Sequence, residues 1–172
     1  MASLVSRQGR QFQRYNTSGR RLVVGCIPYK LNVNKPSTEG VDKRVEVLVI
    51  SSQKGYGMMF PKGGWESDEN IKQAALREAM EEAGVQGDIE GKLGEWRYKS
   101  KSQDIIHEGI MFPLNVTEEL VRWPEMDVRK RRWVSVEEVK KYCPHSWMIE
   151  ALEKLVTRLR HQSMLAEKQI LH

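Results

Sequence analysis

The chain has 172 residues and a mass of 20.0 kDa, enough for one domain with a real core and too few for two comfortable ones. Hydrophobic residues make up 40% and charged residues 30%, with 6 prolines and 13 glycines, a balance that excludes a disordered or collagen-like chain; no run reaches the roughly 20 apolar residues of a membrane helix. The net charge of +5 is unevenly held, because residues 1–38 carry Arg7, Arg10, Arg14, Arg20, Arg21, Lys30 and Lys35 and no acidic side chain.

The body is therefore close to neutral, and the N-terminal arm is the part suited to a polyanion. An Arg-rich, acid-free N-terminus is also the composition of a mitochondrial transit peptide, although this one runs without a break into a core strand. Cys26 and Cys143 stand far apart with no CxxC pair, which suggests neither a zinc site nor a disulfide framework. A reducing intracellular compartment, cytoplasm or nucleus, fits best, with the mitochondrion as the alternative.

Leu22 to Ile27 reads as a buried strand ending before Pro28, and residues 32–43 as a polar hairpin loop. Val45 to Ile50 reads as a central strand, and Met58 to Phe60 as a short one stopped by Pro61. Ser67 and Asp68 are good N-caps for a helix running to about Ala83, with Gly84 where a left-handed residue ends it. Further strands are expected near Leu93 to Tyr98, Gly109 to Val116 and Arg132 to Val134; Ser135 then caps a short helix through Lys141. From Trp147 to Leu159 apolar residues recur at helical spacing, giving an amphipathic helix packed on a sheet, and the last dozen residues read as a frayed tail. The expectation is an α/β (α+β) chain: a basic arm over 1–19, one domain over 20–160 built on a mixed sheet, and a C-terminal tail over 161–172.

Residues 63–85, GGWESDENIKQAALREAMEEAGV, hold six acidic side chains and two basic ones. Glu78 and Glu82 are four apart and Glu81 is three from Glu78, so like charges adjoin on one helix, each such pair disfavouring it by roughly 0.2–0.5 kcal/mol. A hard cation, Mg²⁺ or Mn²⁺, cancels that repulsion, since one or two carboxylates with phosphate and water form its usual shell. Gly63 and Gly64 allow close backbone approach, and a third carboxylate can serve as a base, so metal-assisted hydrolysis of a phosphate ester or anhydride is the natural reaction class. The competing possibility is a solvated face in which Arg77 and Lys72 pair with Glu78, Glu81 and Glu82.

This segment resembles the signature of the Nudix hydrolases: Gly, five residues, Glu, seven residues, Arg-Glu, an aliphatic, any residue, Glu-Glu, any residue, Gly and an aliphatic. Gly63, Glu69, Arg77, Glu78, Glu81, Glu82, Gly84 and Val85 match it, and Ala79 is a small residue at the aliphatic position. The resemblance implies the Nudix fold, a mixed sheet between helices, with metal at Glu78, Glu82 and the carbonyl of Lys62. It also implies Glu81 as the base and a structural role for Gly63, Gly84 and the Glu69–Arg77 pair. Phe60 to Glu66 and the RKRRW run from Arg129 are in addition similar to diphosphoinositol polyphosphate phosphohydrolases, especially those of plants, over about residues 4–159. Carried across by position, that likeness gives phosphate contacts at Arg14, Arg20, Arg21, Ser51, Ser52, Lys101, Arg129, Lys130 and Arg131. Gln53 stands where the animal enzymes place arginine, and Lys54 next door can substitute.

Basic groups spread along the chain suit a highly phosphorylated small molecule if the fold brings them to one mouth. His107, Glu108 and His145 read as surface or structural, and Trp133 as a core anchor. The expected protein is a monomer that engages neither membrane nor nucleic acid. Its expected activity is hydrolysis of phosphoanhydride bonds in diphosphoinositol polyphosphates, with diadenosine polyphosphates as a further candidate substrate. The alternatives are a nucleotide-type Nudix hydrolase acting on dinucleotides, nucleoside diphosphate derivatives or RNA caps, and a non-catalytic polyanion- or RNA-binding module on the same fold.

Overall fold

A computed structural model describes residues 5–36, 38–100 and 104–170. In chain order its elements are β1 (Leu22–Leu31), α1 (Val41–Arg44), β2 (Val45–Ile50), β3 (Lys62–Gly64) and α2 (Ile71–Glu78), which continues as a π-helical turn (Ala79–Ala83). There follow β4 (Val85–Ile89), β5 (Gly94–Lys99), β6 (Ile106–Glu119), β7 (Arg131–Ser135), α3 (Val136–Tyr142) and α4 (Ser146–Ile170). One mixed sheet has the order β4-β6-β1-β2-β7, with β3 on β1 and β5 on β6; only β1 and β6 run parallel.

Alternation along the central strands sorts the core into two layers. Val24 and Cys26 of β1, Leu48 and Ile50 of β2, and Ile110, Phe112 and Leu114 of β6 face α2 and the π turn, where Ala74, Ala75, Ala79 and Ala83 are fully buried. Ile27, Tyr29, Val45, Val47, Val49 and Met111 face the other way, onto Met148, Ala151, Leu152, Leu155 and Leu159 of α4. A Leu such as Leu152, wholly removed from water, contributes about 1.5–3 kcal/mol. The sheet is thus sandwiched between helices, as expected. Ala79, the small residue in the signature, sits fully buried against Cys26, Leu48 and Ile50. Neither cysteine is in a disulfide and both are buried, and no helix of the described residues is long and apolar enough to cross a membrane.

The structure departs from the sequence reading in several places. β1 runs through Pro28: the N–H of Cys26 bonds to Pro61, and position 28, on the same side, falls where β3 has ended and β2 has not begun, so no donor is missed there. Met58 to Phe60 contribute only one bridge, Met59 to Ile50, and the strand lies at Lys62–Gly64 instead. α2 is capped by Asn70, not by Ser67 or Asp68, through a reciprocal box in which Gln73 N–H donates to Asn70 Oδ1 and Asn70 N–H to Gln73 Oε1. The helix does not stay α-helical to Ala83 but widens into the π turn before Gly84 closes it at φ +64°. Finally α4 continues helically to Ile170, past the last buried residue, Leu159, where a frayed tail was expected.

The arm is tied to the domain. Arg14 N–H bonds to Trp65 O, Leu22 N–H to Arg14 O, and Gln13 bridges to Glu66, so residues 13–22 frame the loop that precedes α2.

Candidate active site

Gly63 and Glu78 set the geometry. A Cβ at Gly63 would fall on the Glu78 carboxylate, so only glycine lets β3 pass this close to α2. Arg77 is the hub beside them. Its Nε and Nη2 grip both oxygens of Glu69 at 2.9 and 2.6 Å, and Nη2 also donates to Gly64 O at 2.9 Å. Its Nη1 reaches Glu78 Oε1 at 2.8 Å and Glu81 Oε2 at 3.2 Å. Glu69 in turn accepts from Glu66 N–H at 3.2 Å. The Glu69–Arg77 pair therefore locks the loop to the helix through a bidentate fork.

Glu82 accepts at Oε1 from Lys62 N–H at 3.0 Å and at Oε2 from Arg129 Nη2 at 3.2 Å. Glu78, Glu81 and Glu82 are all buried. Burial, then the charge of Glu82, holds the Glu78 carboxyl well above the usual carboxylate range. Burial also raises Glu81, and it pushes Glu82 up to about 7 against the pull of Arg129 and Lys62. The Lys62 ammonium is pushed down, by its own burial first.

Buried carboxylates in this condition are short of positive charge. Among the described residues no three acidic, His or Cys side chains converge closely enough to hold a metal by themselves. The donors that fit a hard dication are the Glu78 and Glu82 carboxylates, close enough for Glu82 to raise Glu78, with the backbone of Lys62 adjoining. Water and substrate phosphate would complete the shell, as is usual for Mg²⁺.

The carboxylates open into a cleft of about 1250 Å³. Of the basic and hydroxyl groups expected at the substrate, Arg21, Ser52, Lys54 and Arg129 line it, together with Gln53. Arg129 is also bound to Glu125 and to Ser51 O, so part of its charge is already spent.

Other expected contacts are engaged elsewhere. Arg14 donates to the carbonyls of Glu66, Ser67 and Glu69 and stacks on Trp65. Arg20 pairs with Glu108. The Ser51 hydroxyl donates to Ser52 O and accepts from Lys130 N–H, and the exposed Lys130 lines neither cavity. Arg131 caps the end of the π turn through the carbonyls of Ala83 and Gly84 and lies on Trp123. None of these five lines the cleft or the chamber beside it; each guanidinium, ammonium or hydroxyl is engaged with the fold or exposed away from them. Lys101 lies outside the described residues.

A second chamber of about 580 Å³ shares Arg21, Met59, Lys62, Pro144 and His145 with the cleft. Arg10, Arg97 and Lys99 add three more cations, of which Arg97 also pairs with Glu108 at 3.3 Å and Lys99 with Asp104 at 3.5 Å, and no acidic residue is in its described lining. Tyr98 and Trp147 stack along one side at 4.5 Å. His107, read from sequence as surface, is 5% exposed here, and its Nδ1 has no hydrogen-bond partner among the described residues. Period-two alternation back from the buried Met111 and Gly109 was the signal that would have placed it inward. Arg10 and Arg97 carried no such signal, because each is a lone surface-type charge until the fold gathers them.

The geometry defines a loop-helix carboxylate site for phosphate chemistry, and comparison with known proteins gives its family. The NUDIX domain profile matches residues 38–155. Nudix hydrolase 4 of Arabidopsis thaliana is 55% identical over 157 residues, 91% of this chain and 75% of that protein. Nudix hydrolase 17, mitochondrial, of the same plant is 56% identical over 160 residues, 92% and 86% of the two chains. Among solved structures, a NUDIX hydrolase from Nitrosomonas europaea superposes with a TM-score of 0.62 at 17% identity, over 79% of this chain and 88% of that one. A C. elegans Ap4A hydrolase superposes with a TM-score of 0.57 at 22% identity, over 80% and 97%. The chain belongs to the Nudix hydrolase family, whose members act on pyrophosphate bonds and generally use divalent metals such as Mg²⁺ or Mn²⁺.

Proposed function

We propose that this protein hydrolyses a phosphoanhydride bond of diphosphoinositol polyphosphates. The observation that carries this is the basic chamber opening beside the buried carboxylates. A ring bearing many phosphates needs several cations at once, and Arg10, Arg21, Lys62, Arg97 and Lys99 supply them within reach of the reacting end. The likeness of Phe60 to Glu66 and of the Arg129 run to the diphosphoinositol polyphosphate phosphohydrolases points the same way.

Each residue then has a task. Glu78, Glu82 and the Lys62 carbonyl would hold the divalent ion, which neutralises the diphosphate oxygens as charge builds on them. Glu81 takes the proton of the attacking water. Arg21 and Lys54 hold phosphate oxygens, and Arg77 keeps Glu78 and Glu81 in register. A second substrate class, diadenosine polyphosphates, is favoured by Tyr56, which is 67% exposed at the cleft and offers an aromatic face to a base.

The test is product release from a diphosphoinositol polyphosphate and from diadenosine hexaphosphate, with and without Mg²⁺. Mg²⁺-dependent phosphate release from the first is expected. The paired change Arg97→Ala with Lys99→Ala should raise its KM by about tenfold while kcat holds, as loss of phosphate holding requires. Cleavage of diadenosine hexaphosphate alone would favour the second class, and binding of either without product would favour a polyanion-binding module.

A further inference from the structure

The arm reaches the reacting groups themselves. Val5, Ser6, Arg7, Gln8 and Gly9 line the cleft opposite the π turn. The main-chain N–H of Arg7 donates to Glu81 Oε1 at 3.1 Å, while Arg77 holds Oε2 of the same carboxylate at 3.2 Å. The Arg7 guanidinium is bound to Glu66 and, at 2.9 Å, to Asp68, both on the loop before α2. One residue earlier, Ser6 Oγ donates to Glu125 Oε2 at 2.9 Å, and Glu125 holds Arg129, the partner of Glu82. Gly9 follows at φ +82°, a left-handed conformation that favours glycine.

We propose that Arg7 is a positioning residue for Glu81: its side chain, pinned to Glu66 and Asp68, fixes the backbone N–H that orients the Glu81 carboxylate. The inference rests on Glu81 as the base. Arg7 is 40% exposed at its side chain, so its ion pairs add little stability. Their effect is geometric. A carboxylate with one oxygen on Arg77 can still swing about that contact, and a second donor on the other oxygen stops the swing. A base acts efficiently only when its lone pair is held toward the proton it takes. The Arg7 side chain is held by Glu66 and Asp68 and acts on Glu81 through the backbone N–H of the same residue.

The experiment uses the full chain and, as substrate, whichever of the diphosphoinositol polyphosphate and diadenosine hexaphosphate it hydrolyses. Arg7→Ala should lower kcat by about tenfold with KM changed less than about threefold, the pattern of a lost transition-state alignment. Arg7→Lys, which keeps a cation for Glu66 and Asp68, should restore most of the rate. In a Glu81→Gln background, Arg7→Ala should cost nothing further, because the group it positions is already gone. Arg7→Ala at the wild-type kcat, a loss confined to KM, or an equal loss in the Glu81→Gln background would overturn the inference and leave Glu81 as the base. A Glu81→Gln enzyme at the full rate would overturn the base assignment itself.

Discussion

Glu82→Gln should lower Mg²⁺-dependent turnover by about 10²–10³, the scale of losing one group that stabilises developing charge, while the fold stays intact. Gln is the same size and can still accept from Lys62 N–H, so packing around the π turn is kept. The lost quantity is the negative charge that a dication needs. The same substitution should also change stability, with a sign that separates it from simple damage. Glu82 is held at about 7 by burial, against an ordinary value of 4.5, so the folded chain keeps a proton that the unfolded chain releases first. Stability of the metal-free protein therefore falls as pH rises from about 4.5 to about 7, by at most about 3 kcal/mol from this group. Glu82→Gln removes that share of the slope. Thermal melting in a chelator near pH 5 and near pH 7 should show the variant at or above the wild type at the higher pH.

Gly63→Ala should cost about 10² or more in kcat through steric displacement alone. The new methyl would land on the Glu78 carboxylate, and β3 has little room to retreat, because Gly63 pairs with Val24 of the central strand. Glu78 must leave its place, and with it one of the donors for the dication and a contact of Arg77. Gly91→Ala is the control: its Cβ would meet only Arg158 Nη1 at 3.6 Å, so rate and melting temperature should stay near wild type. Comparing kcat of the two alanine variants at saturating Mg²⁺ separates a site effect from a general glycine effect.

What was legible in the sequence had local causes. β2 falls at Val45–Ile50, as its apolar run indicates, and Gly84 adopts the left-handed conformation that its place after the helix requires. Glu69 and Arg77 meet as the resemblance to the Nudix signature implies. The departures have long-range causes. Pro28 stays within β1 because its missing donor falls between two neighbouring strands, which only the sheet order reveals. β4, Val85–Ile89, was not foreseen: it carries Gln86, Gly87 and Asp88, and is held by pairing with β6 rather than by strand propensity. Basic side chains carry the least local information. Arg14, Arg21 and Arg131 look alike in sequence, yet one binds loop carbonyls, one lines the cleft and one caps a helix end. A guanidinium has five donors and a long stem, so the carbonyls that the fold leaves unpaired decide where it points.

Calorimetric titration of Mn²⁺ into the metal-free full chain at neutral pH, in buffers of different ionisation enthalpy, tests most directly whether these buried carboxylates are built for a dication. Glu78 and Glu82 lie where burial raises them toward the protonated form, so binding should release protons. The expected result is one saturable event with proton release in the wild type, abolished in both Glu78→Gln and Glu82→Gln. Undiminished Mn²⁺ binding in Glu82→Gln, or none in the wild type, would contradict it.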